Sequence, residues 1–386
     1  MRCLVATLLI GLTSSSLGAQ KAYNPNRPRL PAGADTNSAQ SYYAWGLNQL
    51  NRNPDQAAAA FHWATRIDPS MAGPLYAKRV ALLVSNGPWL ERYFENRNVR
   101  KGKEARAIDT LQYEALIRNP LLNQQLNRII LEKYFEQVTG LMATQIRWDQ
   151  ADPAQIAWVA HSDGDYGRAI DLYAKAIKAK PKDYDFRVSR ALAFVQLSRY
   201  DSAAAELQLV LDELRKRDAR DLIYAYDSKA LYEYSLGMVY VRAGNIEKAR
   251  EALGRALTED LAFYMAHAAL GDVAYAQKDT ATALQELELA VQLRGDDAAL
   301  RWRYGAVLLE SRRFADAEIQ LAKAVELAPF FAVARYALAR TLDGAGKKTE
   351  AVAEYSAFIG RASRELDEQV AHARNRVNAL KAGSEP

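Results

Sequence analysis

Four histidines, His62, His161, His267 and His372, are the residues of this 386-residue chain best suited to acid–base chemistry or metal ligation near neutral pH. They stand far apart, and none lies in an H-E-x-x-H helix, the spacing that would put two imidazoles on one face around zinc. His267 is placed where it could touch a ligand, and the alternative for it is a packing role with its hydrogen bonds satisfied inside the fold. Asp163-Gly164-Asp165 has the look of a calcium-loop fragment, but the other oxygen ligands of such a loop are missing, and a turn between two helices accounts for it more simply. RNVRKGKEAR, Arg97 to Arg106, is the densest basic stretch. Lacking interleaved aromatics, it reads as a solvated loop more than as a surface for phosphate or nucleic acid. No P-loop, dinucleotide glycine fingerprint or G-x-S-x-G elbow occurs. No catalytic residue and no metal ligand is therefore assigned, and no cofactor is expected.

The first residues, MRCLVATLLIGLTSSSLGAQ, place Arg2 before an apolar run from Leu4 to Leu12 and end in small residues, the layout of a cleaved secretory signal with its scissile bond near Gly18 to Gln20. That run is too short to span a bilayer, and no later stretch reaches the roughly 18 to 20 apolar residues a membrane helix needs. Cys3, the one cysteine, would leave with the signal, which suits an oxidising compartment and does not fit a lipoprotein, whose acylated cysteine follows the apolar run. An exported protein, periplasmic or secreted, is expected. The net charge of +5 comes from interspersed signs, so no strong field for nucleic acid or a membrane surface is predicted.

About half of the residues are apolar and a quarter charged, the balance of a folding chain. Alanine and tyrosine are plentiful while β-branched runs and Gly-Pro turns are scarce, so the elements that position any site are helices and the class is all-α. Residues 20–40, with Pro25, Pro28, Pro31 and Gly33, cannot continue a helix and read as a flexible lead-in.

Beyond that the chain repeats itself. Steps of 34 residues carry Gly237 to Gly271, Gly305 and Ala339, and Ala249 to Ala283, Ala317 and Ala351. The same step carries Leu253 to Leu287, Leu321 and Tyr355, and Ala256 to Ala290, Ala324 and Phe358. Small residues at fixed intervals are what two helices need where their axes cross most closely, with the leucine filling the groove beside the crossing. Upstream, Ala157, Gly164, Tyr166, Ala169, Tyr173, Ala176 and Pro181 fit the template, followed by Ala191, Phe194, Tyr200, Ala203, Leu207 and Val210. A slip of 12 residues before Gly237 predicts that LDELRKRDARDLIYAYDSKAL lengthens two helices. Trp45-Gly46, Ala57, Phe61, Ala64 and Pro69 fit one more repeat whose turn is a residue shorter.

A period of 34 with these residue classes resembles the tetratricopeptide repeat, a helix-turn-helix unit. The resemblance implies a right-handed superhelical solenoid of about seven to nine helix pairs. The segments read as a signal at 1–19, degenerate repeats over 41–150, two repeats over 151–216, three to four over 217–362, and a solvating cap with a short tail at 363–386. In such stacks the first helices line a concave face. Mapped here, that face carries Tyr234, Met238 and Val241, then Ala268, Asp272 and Tyr275, then Trp302, Ala306 and Leu309, then Tyr336, Arg340 and Asp343. An aromatic-rich trough of this kind suits a partner polypeptide, which makes a non-catalytic scaffold or adaptor the leading expectation. Inter-repeat packing is the alternative for each of its tyrosines. The Lys/Asn carboxylate clamp of some family members is absent at these positions. Two rival readings are an envelope enzyme with its site in residues 72–144, and a glycan or small-ligand binder stacking on Trp302 and Tyr275.

Overall fold

The computed structural model describes residues 24–87, 90, 103–140, 152–220 and 228–383. The signal segment and Arg97–Gly102 of the basic run lie outside the described residues. No strand occurs among the described residues, so the all-α expectation holds. The chain divides into two compact units, one centred on Leu82–Leu261 and one formed by Asn26–Ala81 together with Ala262–Pro386.

The first unit contains α4 (Lys103–Arg118), α5 (Asn127–Thr139), α6 (Pro153–Ser162), α7 (Tyr166–Ala179), α8 (Tyr184–Gln196), α9 (Tyr200–Arg220), α10 (Ala230–Arg242) and α11 (Ile246–Glu259). The second contains α1 (Ala39–Gln49), α2 (Pro54–Ile67), α12 (Tyr264–Ala276), α13 (Thr280–Leu293), α14 (Ala298–Glu310), α15 (Phe314–Leu327), α16 (Ala332–Gly344), α17 (Lys348–Ile359), a 3-10 turn at Arg364–Leu366 and α18 (Asp367–Ala382). Helix α3 (Ala72–Ser85) runs across the division. Within each unit, helices consecutive in sequence from α6 onward pack as antiparallel pairs, and each pair lies on the next.

Between the two helices of each pair from α6 to α17 the chain turns the same way. The N–H of Asp165, Arg199, Asn245, Asp279, Arg313 and Lys347 reaches back to the carbonyl five residues earlier, at 2.9 Å in all six turns. The residue before each donor is left-handed: Gly164, Gly244 and Gly346 at φ +82°, +73° and +75°, but Ser198, Lys278 and Arg312 at +56°, +63° and +58°. This is the helix-ending loop that satisfies orphan carbonyls, and glycine adopts it without strain while the other three do not. Asp165, Asn245 and Asp279 then cap the second helix by accepting a hydrogen bond from the backbone N–H three residues on.

The repeated small residues lie at the helix crossings. A Cβ on Gly237 would fall 2.8 Å from Leu253 Cγ, one on Gly271 2.7 Å from Leu287 Cγ, and one on Gly305 2.6 Å from Leu321 Cγ. In α1 and α2 the same relation joins Gly46 to Phe61, at 2.6 Å. All are nearer than real Cβ atoms approach, so the leucine or phenylalanine occupies the space a larger residue would need. Ala249, Ala283, Ala317 and Ala351 on the facing helices are fully buried, as are Ala290 and Ala324.

The phase slip resolves differently from the expectation of two lengthened helices. Only α9 is long, at 21 residues, while α10 has 13. The intervening residues 221–227 lie outside the described ones. The lead-in is corrected more strongly. Residues 26–38 form no helix, yet Leu30 is buried with Tyr42, Trp63 and Ile67, and Ser38 caps α1 through Ser41 N–H. At the other end, α18 buries Ala373, Val377 and Leu380.

The crossing geometry makes a directional prediction. Gly271→Ala gains helix propensity of about 1 kcal/mol but meets Leu287 and the Ala283 carbonyl, and should lower stability by about 1–2 kcal/mol net. Gly254→Ala, on α11 with nothing within 4 Å, should raise it by about 0.5–1 kcal/mol. Urea unfolding of the two variants reads both signs, and equal signs would refute the crossing account.

Candidate functional site

Within the second unit the first helices of successive pairs touch one another, and they are joined by ion pairs that cross from one pair to the next. Asp272 on α12 meets Arg303 on α14 at 3.4 Å, and Glu310 on α14 meets Arg340 on α16 at 3.1 Å. Asp343 on α16 takes both Nε and Nη2 of Arg376 on α18, each at 2.8 Å. A face made by α12, α14, α16 and α18 is therefore continuous and laced with charges of both signs. Crowding by surrounding protein pushes the Asp272 carboxyl up although its side chain keeps solvent access, with Arg303 pulling the other way. The hydrogen bond from Arg376 holds the Asp343 carboxyl below its ordinary value.

The nine residues assigned to the trough separate by their place on the helix. Tyr234 is only 1% exposed and Leu309 7%, so both belong to the core and neither can meet a partner directly. Trp302 turns its ring edge to Phe331, centroids 5.5 Å apart, and packs against the buried cluster of Ala298, Ala324 and Ala334. Tyr336 lies against Tyr355, Phe358 and His372, where α18 covers the last pair. Asp343 is tied to that same junction by Arg376 and by the Tyr355 hydroxyl, which donates to its Oδ2 at 3.3 Å. What stays open in the second unit is Asp272, Tyr275 at 42% exposure, and the half-exposed Arg340 beside Tyr336. In the first unit Met238 is half-buried at the margin of the core.

Missed from sequence was a polar rung inside the pairs. Arg187 reaches Glu206 at 3.2 Å, His267 reaches Glu286 at 2.6 Å, Arg301 reaches Gln320 at 2.7 Å, and Arg335 reaches Glu354 at 2.6 Å, each across 19 residues. His267 is thus satisfied within its own pair. Position 233 belongs to the same series, but 19 residues on stands Ala252, and Glu233, 1% exposed, is held by Arg255 at 3.0 Å and by Arg215. The signal is present as polar residues recurring in step with the glycines, but their type changes between Arg, Glu and His from one repeat to the next.

The other chemical candidates have structural occupations. Asp163 pairs with Arg128, and Asp165 caps α7, so both carboxylates of the calcium-like run are engaged. Lys103–Arg106 open α4. His62 lies 3.2 Å from Lys78 Nζ, and His372 is bonded to the Tyr336 hydroxyl at 3.0 Å. Among the described residues no three His, Cys, Asp or Glu side chains converge as a metal-binding group, and no helix is long and apolar enough to cross a membrane.

Residues 155–219, 234–299 and 305–365 match the tetratricopeptide repeat family. The chain carries tetratricopeptide repeats. Among solved structures it is similar to YrrB, described as a TPR protein with an unusual peptide-binding site, at 22% identity over 53% of this chain and 99% of that one, with a TM-score of 0.42. The C-terminal part of a TPR repeat-containing protein from Cytophaga hutchinsonii is similar at 16% identity, 58% and 92% coverage, TM-score 0.48. MamA is similar at 18% identity, 53% and 94% coverage, TM-score 0.34. No curated protein matches. In tetratricopeptide terms α6, α8, α10, α12, α14 and α16 are the first helices of their repeats, and the open residues named above lie on that inner series.

His161 supplies a pH test of the repeat interior. It is buried between Tyr166 and Tyr173, and burial lowers its pKa from 6.5 to about 4. The unfolded chain therefore takes up a proton that the folded one refuses as pH falls from 6.5 toward 4, and each unit costs about 1.4 kcal/mol. Between about pH 7 and 4.5 the native protein should lose about 2–3 kcal/mol that His161→Phe does not lose. Parallel urea titrations check it, and equal losses would mean His161 is protonated in the fold.

Proposed function

We propose that the protein is a non-catalytic scaffold that holds a partner polypeptide along the inner helix series of its second unit, and that it works outside the cytoplasm, in a periplasm or at the cell envelope. The observation that carries the first part is the exposed Tyr275 beside Asp272 and the inter-repeat ion pairs. A large ring held at low entropic cost stands next to charges that are only partly neutralised, on a face whose backbone is rigid. Arg340 and Glu310 extend the same surface by one repeat. A strand-like or helical segment with alternating charge could exchange its own carboxylates and amines for solvent at these pairs without breaking the core. Trp302 and Tyr336, part-buried against Phe331 and against α18, border the face, and Asp343 is engaged by Arg376 and Tyr355. The peptide-binding description of YrrB agrees with this reading. Export rests on the layout of the first twenty residues and on the position of Cys3.

A photocrosslinking residue at position 275 should capture a partner in the cells that make the protein, while the same residue at position 319, on the outer helix α15 where Ile319 is 63% exposed, should not. Asp272→Lys should reduce capture from 275 by about tenfold, as expected for a reversed charge at a polar contact. Crosslinks from 319 alone, or capture indifferent to Asp272→Lys, would overturn the inner-face assignment. N-terminal sequencing of the recovered chain should begin near Gly18 to Gln20, and a start at Met1 would remove export from the proposal.

A further inference from the structure

The second unit is assembled from both ends of the sequence, and its two parts meet at a small, definable contact. Phe330, part-buried in the turn between α15 and α16, packs against the cluster formed by Leu30 of the lead-in and Tyr42, Trp63 and Ile67 of the first helix pair. Its ring meets that of Trp63 edge-on, with centroids 5.2 Å apart. Two guanidinium groups flank the rings: Arg66 lies 4.6 Å from Trp63 and 4.9 Å from Phe330, and Arg27 lies 5.0 Å and 5.8 Å from the same two. Around this plug the rim is polar. The backbone N–H of Arg364 donates to Asp35 Oδ2 at 2.7 Å, Asn37 Nδ2 to the Ala362 carbonyl at 3.2 Å, Ser38 Oγ to Glu365 Oε1 at 3.3 Å, and Arg364 Nη1 to the Gly33 carbonyl at 3.3 Å.

We propose that the lead-in and the first helix pair form an intramolecular clasp on the C-terminal repeats, and that the clasp opens as a unit without unfolding them. In a stacked array each repeat is held by its sequence neighbours, so contacts across 325 to 331 residues are additional to what stacking requires. They also close a very long loop, whose entropy the contact must offset. Among the described residues, what stands against that cost includes the aromatic pair of Trp63 and Phe330, the two flanking cations and a rim of hydrogen bonds, those of Arg364 exposed to water. A contact of this size and polarity belongs to the low end of the local-opening range, well short of the interlocked crossings of α12 to α17. On opening, the clasp uncovers Trp63 and Phe330 with Arg27 and Arg66 beside them. It thereby turns a satisfied internal contact into an exposed aromatic and basic surface at the edge of the unit.

Hydrogen exchange on the full chain tests this. In Phe330→Ala the amides of α1 and α2 should exchange at least tenfold faster while those of α12 to α17 keep their native rates. Asp35→Ala, which touches only the rim, should move α1 and α2 in the same direction by about threefold and keeps the test decisive if Phe330→Ala folds poorly. Unchanged exchange of α1 and α2 in Asp35→Ala and in any folded Phe330→Ala would show that the first pair stands without the clasp. Acceleration of α1, α2 and α12 to α17 together would show a single core with no separable opening. Either result overturns the proposal.

Discussion

A leucine side chain seated where a neighbouring helix has no Cβ is the contact on which the rest of the structure is built. At Gly237, Gly271 and Gly305 the leucine Cγ comes within 2.8 Å of where a Cβ would be, so the two helices of a pair cross closer than any side chain would allow. That approach fixes the angle between first and second helix. Because a small residue, glycine or alanine, recurs at this crossing, each pair presents the same two outer surfaces to its neighbours. Buried Ala290 and Ala324 then let the next pair settle close on the second helix. The continuous inner face, with ion pairs running from one first helix to the next, follows from this repetition and needs no further instruction from sequence.

The polar rung and the long helix α9 explain each other. Four pairs place an Arg or His on the first helix against a Glu or Gln on the second, a buried or half-buried contact that must be satisfied to be tolerated. In the pair α10 and α11 the rung is broken: an acid, Glu233, stands on the first helix and Ala252 where its partner belongs. A carboxylate 1% exposed would be costly alone, and burial does push its pKa up. Arg215 answers it from the extra turns of α9, and Arg255 from the following turn of α11. The interruption of the 34-residue period and the broken rung are one feature, because the lengthened helix delivers the cation that Glu233 needs.

Periodicity made the pairs, the crossings and the turns legible, since each depends on residue size or backbone freedom at one position. The inner face was legible only in part, because residues one helical turn apart on it have different duties. The column of Tyr234, Ala268, Trp302 and Tyr336 faces the adjoining repeat or the cap: Tyr234 and Ala268 are buried, and the rings of the other two lie against Phe331 and against α18. One turn later, Met238, Asp272, Ala306 and Arg340 are half-buried or exposed. The aromatic column is part-buried where it is not wholly buried, and of the second column only Asp272 is exposed. The distinction depends on how far successive first helices diverge, which no single repeat encodes.

The lead-in shows why a local reading has a horizon. Pro28 and Pro31 exclude a helix there, and that much was legible; they say nothing about whether an extended segment has something to lie on. The clues to a packed segment are one leucine, Leu30, and one arginine, Arg27, neither unusual in a loop. Their counterparts, Phe330 and the turn after α17, stand some three hundred residues away, and in a stacked array distance in sequence ordinarily means distance in space. Proline also restricts the unfolded chain, so an extended segment carrying it loses less entropy on docking than a glycine-rich one of the same length. The composition that suggested mobility therefore also suits a strap that must be held by few contacts.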